Sequence, residues 1–398
     1  MAEDLHLLDS PPRAIEPEGD RAEIDPLAPL PQAAAAIAEA ARDLVGARPA
    51  AVAAWFGRAM DLAIPPNDGT IEGQRRTADA VRRRAKAANT IRAYRAGVRA
   101  WCAYAARHGI QALPADPDDV KAFLVDQREP LPPAKPLAMN TLRLRAAAIG
   151  YMHRLARLPS PSRSVEVIET LTGYRRSTDE LPQPKRALRL DLLARVVATI
   201  GTEDLADLRD RAILLLGFAG AFRRSELAAL DARHVEIVDT FERRGLRLKL
   251  PRSKGDRAGT GATVIVPAGT TALCPLAAYQ AWISAAGISQ GPVFRRVHVQ
   301  PRPKTAPEGW VPSVKLGAQA LDDGTIARIV KARARAAGLD GADISGHSLK
   351  RGALNTAADH GADPRAMKGL GRHKSYQALA PYLEEREAFE DGALKGLY

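Results

Sequence analysis

Apolar residues recur every three or four positions along most of this chain, which is the spacing of one face of an α-helix. Ile91, Val98 and Trp101 show this pattern in a segment that should stop at Gly109 and that Asn89-Thr90 should cap. Aromatic residues make up 5% of the chain, which also favours helices over sheet. The runs with strand-like alternation or β-branching are residues 234–239, 246–250 and 262–266. The sequence therefore predicts a mainly α fold with a small antiparallel β-sheet.

Proline-rich and polar segments divide the 398 residues into parts, and this length suits two domains plus an extension. Residues 1–31 are acidic and proline-rich and should form a disordered extension, and residues 32–70 a helical N-terminal extension. Residues 73–173 predict a small helical domain with basic faces. The polar, basic stretch 174–189 contains two prolines and is the best candidate for a linker. Residues 190–398 form a second domain with a C-terminal tail.

The net charge of +12 points to a polyanionic partner, most often nucleic acid. The charge is uneven, because residues 1–30 carry eight acidic and two basic side chains. The acidic end is therefore not expected to touch DNA, and the rest is more basic than the average suggests. The alternative is a generic arginine-rich composition without a nucleic-acid partner.

Two cysteines, Cys102 and Cys274, are too few for a disulfide framework or a zinc site, and both lie among apolar residues. The first residues are acidic and lack the apolar core of a signal peptide. No apolar run approaches the roughly 20 residues that span a bilayer. We expect a cytoplasmic protein with no membrane partner.

Three short stretches combine residues that can bind an anion. Gly220 to Leu227 places Arg223 at the opening of a helix, although such an arginine alone is more often a solvated cap. In the second stretch, His347, Lys350 and Arg351 stand at the i, i+3 and i+4 positions of one helical face. The third places Tyr382 nine residues after His373. A lone tyrosine is usually a packing residue, so it is the spacing that makes this one a candidate.

These stretches, in this order and at these separations, resemble the tyrosine recombinase (phage integrase) family. That family has an arginine before a Ser-Glu-Leu-like segment, a lysine on a β-hairpin and a His-x-x-Arg box. A further histidine follows, with a tyrosine nine residues beyond it. The matching residues here are Arg223, His347, His373 and Tyr382. The resemblance covers about residues 80–396. It implies a two-domain DNA clamp, with a helical core-binding domain and an α+β tyrosine-recombinase catalytic domain.

Two positions of the motif need a choice. The hairpin lysine maps best onto Lys254, between two predicted strands, and less well onto Lys249, which lies within one. The second arginine of the family is replaced by Lys350, with Arg351 one step further. A lysine is a point charge and cannot make the two-pronged contact of a guanidinium with phosphate. We favour Lys350 in the site and Arg351 on the DNA backbone, although a shift of the helix by one residue would reverse that order.

The resemblance implies cleavage through a 3′-phosphotyrosyl bond, without metal or nucleotide cofactor. Tyr382 would be the nucleophile, and Arg223 with Lys350 would offset the charge on the phosphate. Lys254 would protonate the leaving 5′-oxygen. His347 would bond a phosphate oxygen or take the tyrosine proton, and the remaining member of the site, His373, would support the phosphate or the tyrosine.

The implied partner is double-stranded DNA with a specific recombination site, bound by a homo-oligomer from dimer to tetramer, with accessory proteins left open. Phosphate contacts should supply most of the affinity. The candidate DNA-binding residues are Arg143, Arg145, Arg252, Arg351 and Arg372. The tail after Tyr382 could dock on a neighbouring subunit or pack on its own domain.

Three alternatives remain. A DNA-binding relative could have lost cutting activity, with Lys350 as the symptom. A type IB topoisomerase-like enzyme would share the chemistry without choosing sites. A metal-dependent nuclease is disfavoured, because neither clustered carboxylates nor histidine pairs at ligand spacing stand out in the sequence.

Overall fold

The computed structural model describes residues 44–84, 86–177, 185–251, 261–300 and 313–383, together with residues 303, 305 and 307–309. The chain forms two compact units, Met1–Leu181 and Pro182–Tyr398. The predicted disordered extension, Arg252, Lys254 and the tail beyond Leu383 lie outside the described residues. The described residues are mostly helical with small antiparallel sheets, which confirms the predicted fold class.

The first unit is built from helices over its described residues. They are α1 (Pro49–Ala59), α2 (Ile71–Arg83), α3 (Ala88–His108), α4 (Pro117–Arg128), α5 (Met139–Leu155) and α6 (Val165–Arg176). Helix α3 ends as predicted at Gly109, whose φ of 65° lies in the left-handed region that glycine tolerates. The prediction that Asn89-Thr90 caps this helix was wrong. The N-cap is Ala87, and the Asn89 side chain instead accepts a hydrogen bond from Arg92.

The core of the first unit forms where α3 packs against α1 and α5. Gly97 allows a close crossing, since a Cβ there would lie 2.8 Å from the Cβ of Ala148 on α5. Trp101 is completely buried, and its indole N–H donates to the Ala112 carbonyl at 2.9 Å. Its ring meets that of Phe123 edge-on, at 5.5 Å between centroids. The apolar face read from the sequence is therefore the face that the unit buries.

The second unit combines helices with two small sheets. Its elements are α7 (Leu190–Ala198), α8 (Leu205–Ala219), α9 (Arg224–Ala228), β1 (Val235–Asp239), β2 (Arg244–Leu250), β3 (Ala262–Pro267), α10 (Pro275–Ala286), β4 (Arg295–Val299), β5 (Val314–Ala320), α11 (Asp323–Ala336), α12 (Ser348–Asp359) and α13 (Pro364–Gly371). Residues 380–383 are again helical. Helix α8 is buried along most of its length and packs against α10 and α12.

The predicted sheet has the strand order β1-β2-β3, and both pairs are antiparallel. Leu248 at its centre is fully buried and lies opposite Val235 on one side and Val264 on the other. Strands β4 and β5 form a separate antiparallel hairpin that the sequence did not predict.

Residues 185–190 run along α12 and are tied to it at several points. Leu188 donates its backbone N–H to the Ser348 carbonyl at 3.0 Å, and the Arg189 guanidinium pairs with Asp359 at 2.9 Å. Gly352 makes this approach feasible, because a Cβ there would lie 1.7 Å from the Leu188 carbonyl oxygen. The segment that enters the second unit is thereby fixed to the helix that carries Lys350.

Candidate active site

Arg223 stands where the apolar helix α8 turns into α9. It is the N-cap residue of α9, as the sequence indicated. The Glu226 carboxylate accepts the Arg223 backbone N–H at 2.9 Å through Oε2 and its Nη1 at 2.7 Å through Oε1. Glu226 is 3% exposed, and although burial raises its pKa, the charge of Arg372 and the hydrogen bonds and charge of Arg223 together lower it. A buried, ionised carboxylate therefore orients the Arg223 guanidinium.

Lys350 lies on α12 and is 5% exposed, and its ammonium donates to the carbonyl oxygen of Gly371. Burial, followed by the positive charges of Arg223 and Arg372, lowers the pKa of Lys350 to about 7, although Glu226 opposes the shift. Lys350 thus faces Arg223 across the cluster and is only partly protonated near neutral pH. An arginine in its place would stay charged.

His373 and Tyr382 complete the cluster. Their rings meet edge-on, with 6.4 Å between centroids. Burial and then the charges of Lys350, Arg223 and Arg372 lower the pKa of His373 to about 4, so its imidazole is neutral at pH 7. The buried Nε2 of His373 has no hydrogen-bond partner in the described part of the chain. A neutral imidazole with a free nitrogen is suited to contact a ligand that enters the cluster.

Tyr382 is half-buried, and burial raises the pKa of its hydroxyl. Arg351 acts against this rise through its charge and through a side-chain hydrogen bond. The two cations that the sequence could not separate therefore have different neighbours. Lys350 faces Arg223, and Arg351 faces the tyrosine.

The charges of Arg223 and Lys350 act on His373, and Tyr382 lies beside His373, so the four side chains form one cluster. Their catalytic roles stay a prediction. His347 is exposed at the N-cap of α12, one turn before Lys350. Where Lys254 lies is not described, so its assignment stays a prediction.

The predicted DNA-binding arginines occupy different settings. Arg143 is exposed on α5, and Arg145 on the same helix is half-buried with its guanidinium 5.9 Å from the centre of the Phe123 ring. The side chain of Arg372 is only 10% exposed and donates to backbone carbonyls and to Glu226. The contact of these residues with DNA stays a prediction.

Two residues of the cluster were not assigned to it from the sequence, Glu226 and Arg372. For Glu226 a signal was present, since a Glu three residues after a helix N-cap is the usual partner of the cap backbone. For Arg372 the only signal was its proximity to His373. Among the described residues, the cluster holds three basic side chains, Arg223, Lys350 and Arg372, around the Glu226 carboxylate. This excess of positive charge in a buried place suits a phosphate.

Within the described residues, no group of three or more His, Cys, Asp and Glu side chains is placed to hold a metal ion. No helix in those same ranges is both long and apolar enough to cross a membrane.

Comparison with known proteins gives the family context. Residues 79–158 match the phage integrase, N-terminal SAM-like domain. The chain is 32% identical over 324 residues to the integrase/recombinase xerD homolog of Selenomonas ruminantium, covering 79% of this chain and 87% of that protein. It is 28% identical to the tyrosine recombinase XerD of Xanthomonas axonopodis pv. citri (strain 306), covering 60% of this chain and 77% of that protein.

A solved structure of the XerH site-specific recombinase is similar in fold. The TM-score is 0.53 at 12% identity, and the match covers 87% of this chain and 96% of that one.

Proposed function

The chain belongs to the tyrosine recombinase family, and we propose that it cleaves and rejoins DNA at a specific site with Tyr382 as the nucleophile. The observation that carries the assignment of Tyr382 is its place beside His373 in a buried cluster with Arg223 and Lys350. These residues come from three separated parts of the sequence. Only the fold unites them, and their positive charges suit a phosphate.

In the first step, the Tyr382 oxygen attacks the scissile phosphorus. A 3′-phosphotyrosyl bond forms, the bond from phosphorus to the 5′-oxygen breaks, and the released strand carries a 5′-hydroxyl. The tyrosine must lose its proton, which its raised pKa resists and its hydrogen bond with Arg351 favours. Lys254 supplies a proton to the leaving oxygen, and His347 receives the tyrosine proton or binds a phosphate oxygen.

Charge on the phosphate oxygens is offset by Arg223 and Lys350, both held in place before DNA arrives. Neutral His373 supports the phosphate or the tyrosine through its free nitrogen. A bound phosphate raises the pKa of Lys350 again, since an adjacent negative charge favours the ammonium form. The second cation is thus fully charged only when the substrate is present.

In the second step, the 5′-hydroxyl of a partner strand attacks the phosphorus and gives up its proton. A new phosphodiester bond restores a DNA backbone, the bond from phosphorus to the Tyr382 oxygen breaks, and the tyrosine takes up a proton. The energy of the broken bond is kept in the protein–DNA link, so the exchange needs no nucleotide. Strand exchange between two duplexes uses more than one active site, which supports a dimer to tetramer on double-stranded DNA. We place the protein with its DNA substrate in the cytoplasm of a bacterial cell, encoded by a phage or mobile element.

The proposal can be tested with nicked duplexes that carry the DNA flanking the gene of this protein. Cleavage next to the nick releases a short fragment that diffuses away, so the covalent adduct accumulates and shows as a slow band on a denaturing gel. We expect this band from the wild type, with or without EDTA, and none from Tyr382→Phe. Tyr376→Phe is the matched control, because Tyr376 is 51% exposed with Lys368 over its ring, and it should keep the band. An adduct that persists in Tyr382→Phe contradicts the assignment.

The same preparation distinguishes a topoisomerase-like activity. Relaxation of supercoiled plasmids that lack the flanking DNA, at a rate similar to that of plasmids that carry it, would show strand cleavage without site choice.

A further inference from the structure

Arg372 adopts a backbone conformation that an arginine rarely takes. It is the C-cap residue of α13, with φ 51° and ψ 47° in the left-handed region. Glycine is the usual residue at such a helix end, because it has no Cβ to clash with the backbone. An arginine that accepts this conformation needs contacts that hold it there.

Those contacts nearly all lie in the turn that carries Arg223. The Arg372 guanidinium lies 5.1 Å from the centre of the Phe222 ring. Its Nη1 and Nη2 donate to four acceptors, which are the carbonyl oxygens of Gly220 (2.8 Å), Ala221 (2.8 Å) and Leu370 (3.1 Å) and Oε2 of Glu226 (2.7 Å). The side chain therefore fastens the end of α13 to the turn between α8 and α9.

Glu226 links Arg372 to Arg223, the arginine that is proposed to bind the phosphate. Its Oε2 accepts from Arg372, and its Oε1 accepts from the Nη1 of Arg223 at 2.7 Å. The carboxylate is almost fully buried, so without Arg372 its Oε2 would keep only the hydrogen bond from the Arg223 backbone N–H, at 2.9 Å. A carboxylate held on both sides has one orientation, and so has the guanidinium that it binds.

Lys350 is hydrogen-bonded to the same end of α13. Its ammonium donates to the carbonyl oxygen of Gly371, the residue before Arg372. The conformation of Arg372 thus also sets the position of the peptide that receives Lys350. A single-point cation is more easily misplaced than a guanidinium, so it depends more on such an anchor.

We propose that Arg372 is a positioning residue for DNA cleavage, which holds Arg223 through Glu226 and Lys350 through the Gly371 peptide. It compensates for a lysine where the family has a second arginine. This role rests on the proposed function, and it assigns Arg372 to the inside of the site instead of to the DNA surface. The alternative is that Arg372 only stabilises the fold of the second unit.

The test is single-turnover cleavage of the nicked duplex at saturating protein. Arg372→Gly removes the guanidinium and suits the left-handed conformation, whereas Arg372→Lys keeps a charge and loses the fork. Arg157→Gly is the matched control, because Arg157 is an exposed arginine with a left-handed φ of 57° in the first unit. We expect Arg372→Gly to lower the rate by about 100-fold, Arg372→Lys by roughly 10-fold, and Arg157→Gly to leave it unchanged.

A duplex with a methylphosphonate at the scissile position separates positioning from folding. This group lacks one phosphate charge, so cleavage of it depends less on correctly placed cations. On this substrate, Arg372→Gly should lower the cleavage rate by a smaller factor than on normal DNA. The fold-loss should be reduced to the same extent as the fold-loss caused by Arg223→Ala. The double variant should lose less than the product of the two single losses on normal DNA, since both changes disturb the placement of Arg223 while only Arg372→Gly also disturbs that of Lys350.

Equal losses on the two substrates, or additive losses with Arg223→Ala, would show a purely structural role and overturn the proposal. So would an unchanged rate on normal DNA. If Arg372→Gly does not fold, as judged by thermal melting, the comparison of substrates is made with Arg372→Lys and decides in the same way. A wild type that forms no adduct on either substrate refutes the proposed function itself, which is a different result.

Discussion

Arg351 links the nucleophile candidate Tyr382 to the segment that enters the second unit. Its side chain hydrogen-bonds that of Tyr382, and its Nη1 donates to the backbone carbonyl of Lys185 at 2.5 Å. Lys185 belongs to the stretch that runs along α12, so the guanidinium is held from two sides. The position of Tyr382 is thereby coupled to that entering segment.

Replacing Arg351 should slow cleavage and move its pH dependence. Arg351 lowers the pKa of the Tyr382 hydroxyl while burial raises it, so Arg351→Ala leaves the pKa higher and the attacking oxygen harder to deprotonate. We expect a rate on the order of tenfold lower at pH 7, with the rise in rate displaced to higher pH, and a smaller effect in Arg351→Lys. Single-turnover rates from pH 6 to 10 measure this. Arg365→Ala is the control, because Arg365 is exposed on α13. A pH profile with lower rates throughout but with no shift along the pH axis would contradict the coupling to Tyr382.

Lys350 should make cleavage sensitive to pH near neutrality. Its pKa of about 7 is set by burial and by Arg223 and Arg372, so the ammonium is present below that value and lost above it. The pKa of His373, about 4, keeps that group neutral over the same range. We therefore expect kcat/KM, which reports the free enzyme, to fall relative to that of Lys350→Arg by about tenfold for each pH unit above about 7.

Two variants isolate this contribution. Lys350→Arg should remove the fall, because a guanidinium stays protonated throughout, and Lys350→Met should be slow at every pH. The measurement is the second-order rate of adduct formation at pH 6 to 9, with thermal melting to confirm folding. Parallel profiles for the wild type and Lys350→Arg would rule out Lys350 as the titrating group.

The sequence supplies candidate members of the site more readily than their arrangement. Tyr382 follows from its spacing to His373, and Arg223 from its place at a helix start, because both signals are local. The choice between Lys350 and Arg351 was open, since neighbouring residues on a helix point about 100° apart and a one-residue shift exchanges them. The structure gives both a place near the site, with different neighbours. Arg372 could not be assigned, because its conformation depends on acceptors in the distant 220–226 turn.

There are also physical reasons why some helices and strands were not predicted from the sequence. Helix α2 is rich in arginine and buries little, so it shows no apolar stripe. Strands β4 and β5 are half-exposed and are separated by a long segment with several prolines, which hides the pairing. The β1-β2-β3 sheet was predicted because its central strand is buried and alternates.

Gly352 should be required for the packing of residues 185–190 on α12. In Gly352→Ala the new Cβ would meet the backbone of Leu188, which cannot rotate away as a side chain could. We expect a loss of about 2 kcal/mol or more, seen as a melting temperature lower by roughly 5 °C. Gly369→Ala on α13 is the control, since a methyl group at Gly369 would have nothing within 4 Å, and it should be neutral or slightly stabilising. Equal melting temperatures for the two variants would contradict the close contact.

His153 should make the first unit sensitive to acid. It is completely buried on α5, where Nε2 accepts the Ala115 backbone N–H and Nδ1 donates to the Ile149 carbonyl, each at 2.8 Å. Burial lowers its pKa from 6.5 to about 4, so the unfolded chain binds the proton more readily than the folded one. Stability is therefore full above about pH 6.5 and is lost progressively as the pH falls towards 4.

Between pH 7 and pH 5 this amounts to about 2 kcal/mol, from about 1.4 kcal/mol per unit of pKa difference. Hydrogen exchange of the full chain, read by mass spectrometry, should show faster exchange at pH 5 in peptides from α3 and α4, after correction for the intrinsic rate. Peptides from α10 in the second unit serve as the internal control. His153→Gln cannot titrate, so it should lower protection at both pH values by the same amount. If its pH dependence matched that of the wild type, the acid sensitivity would have to come from another group.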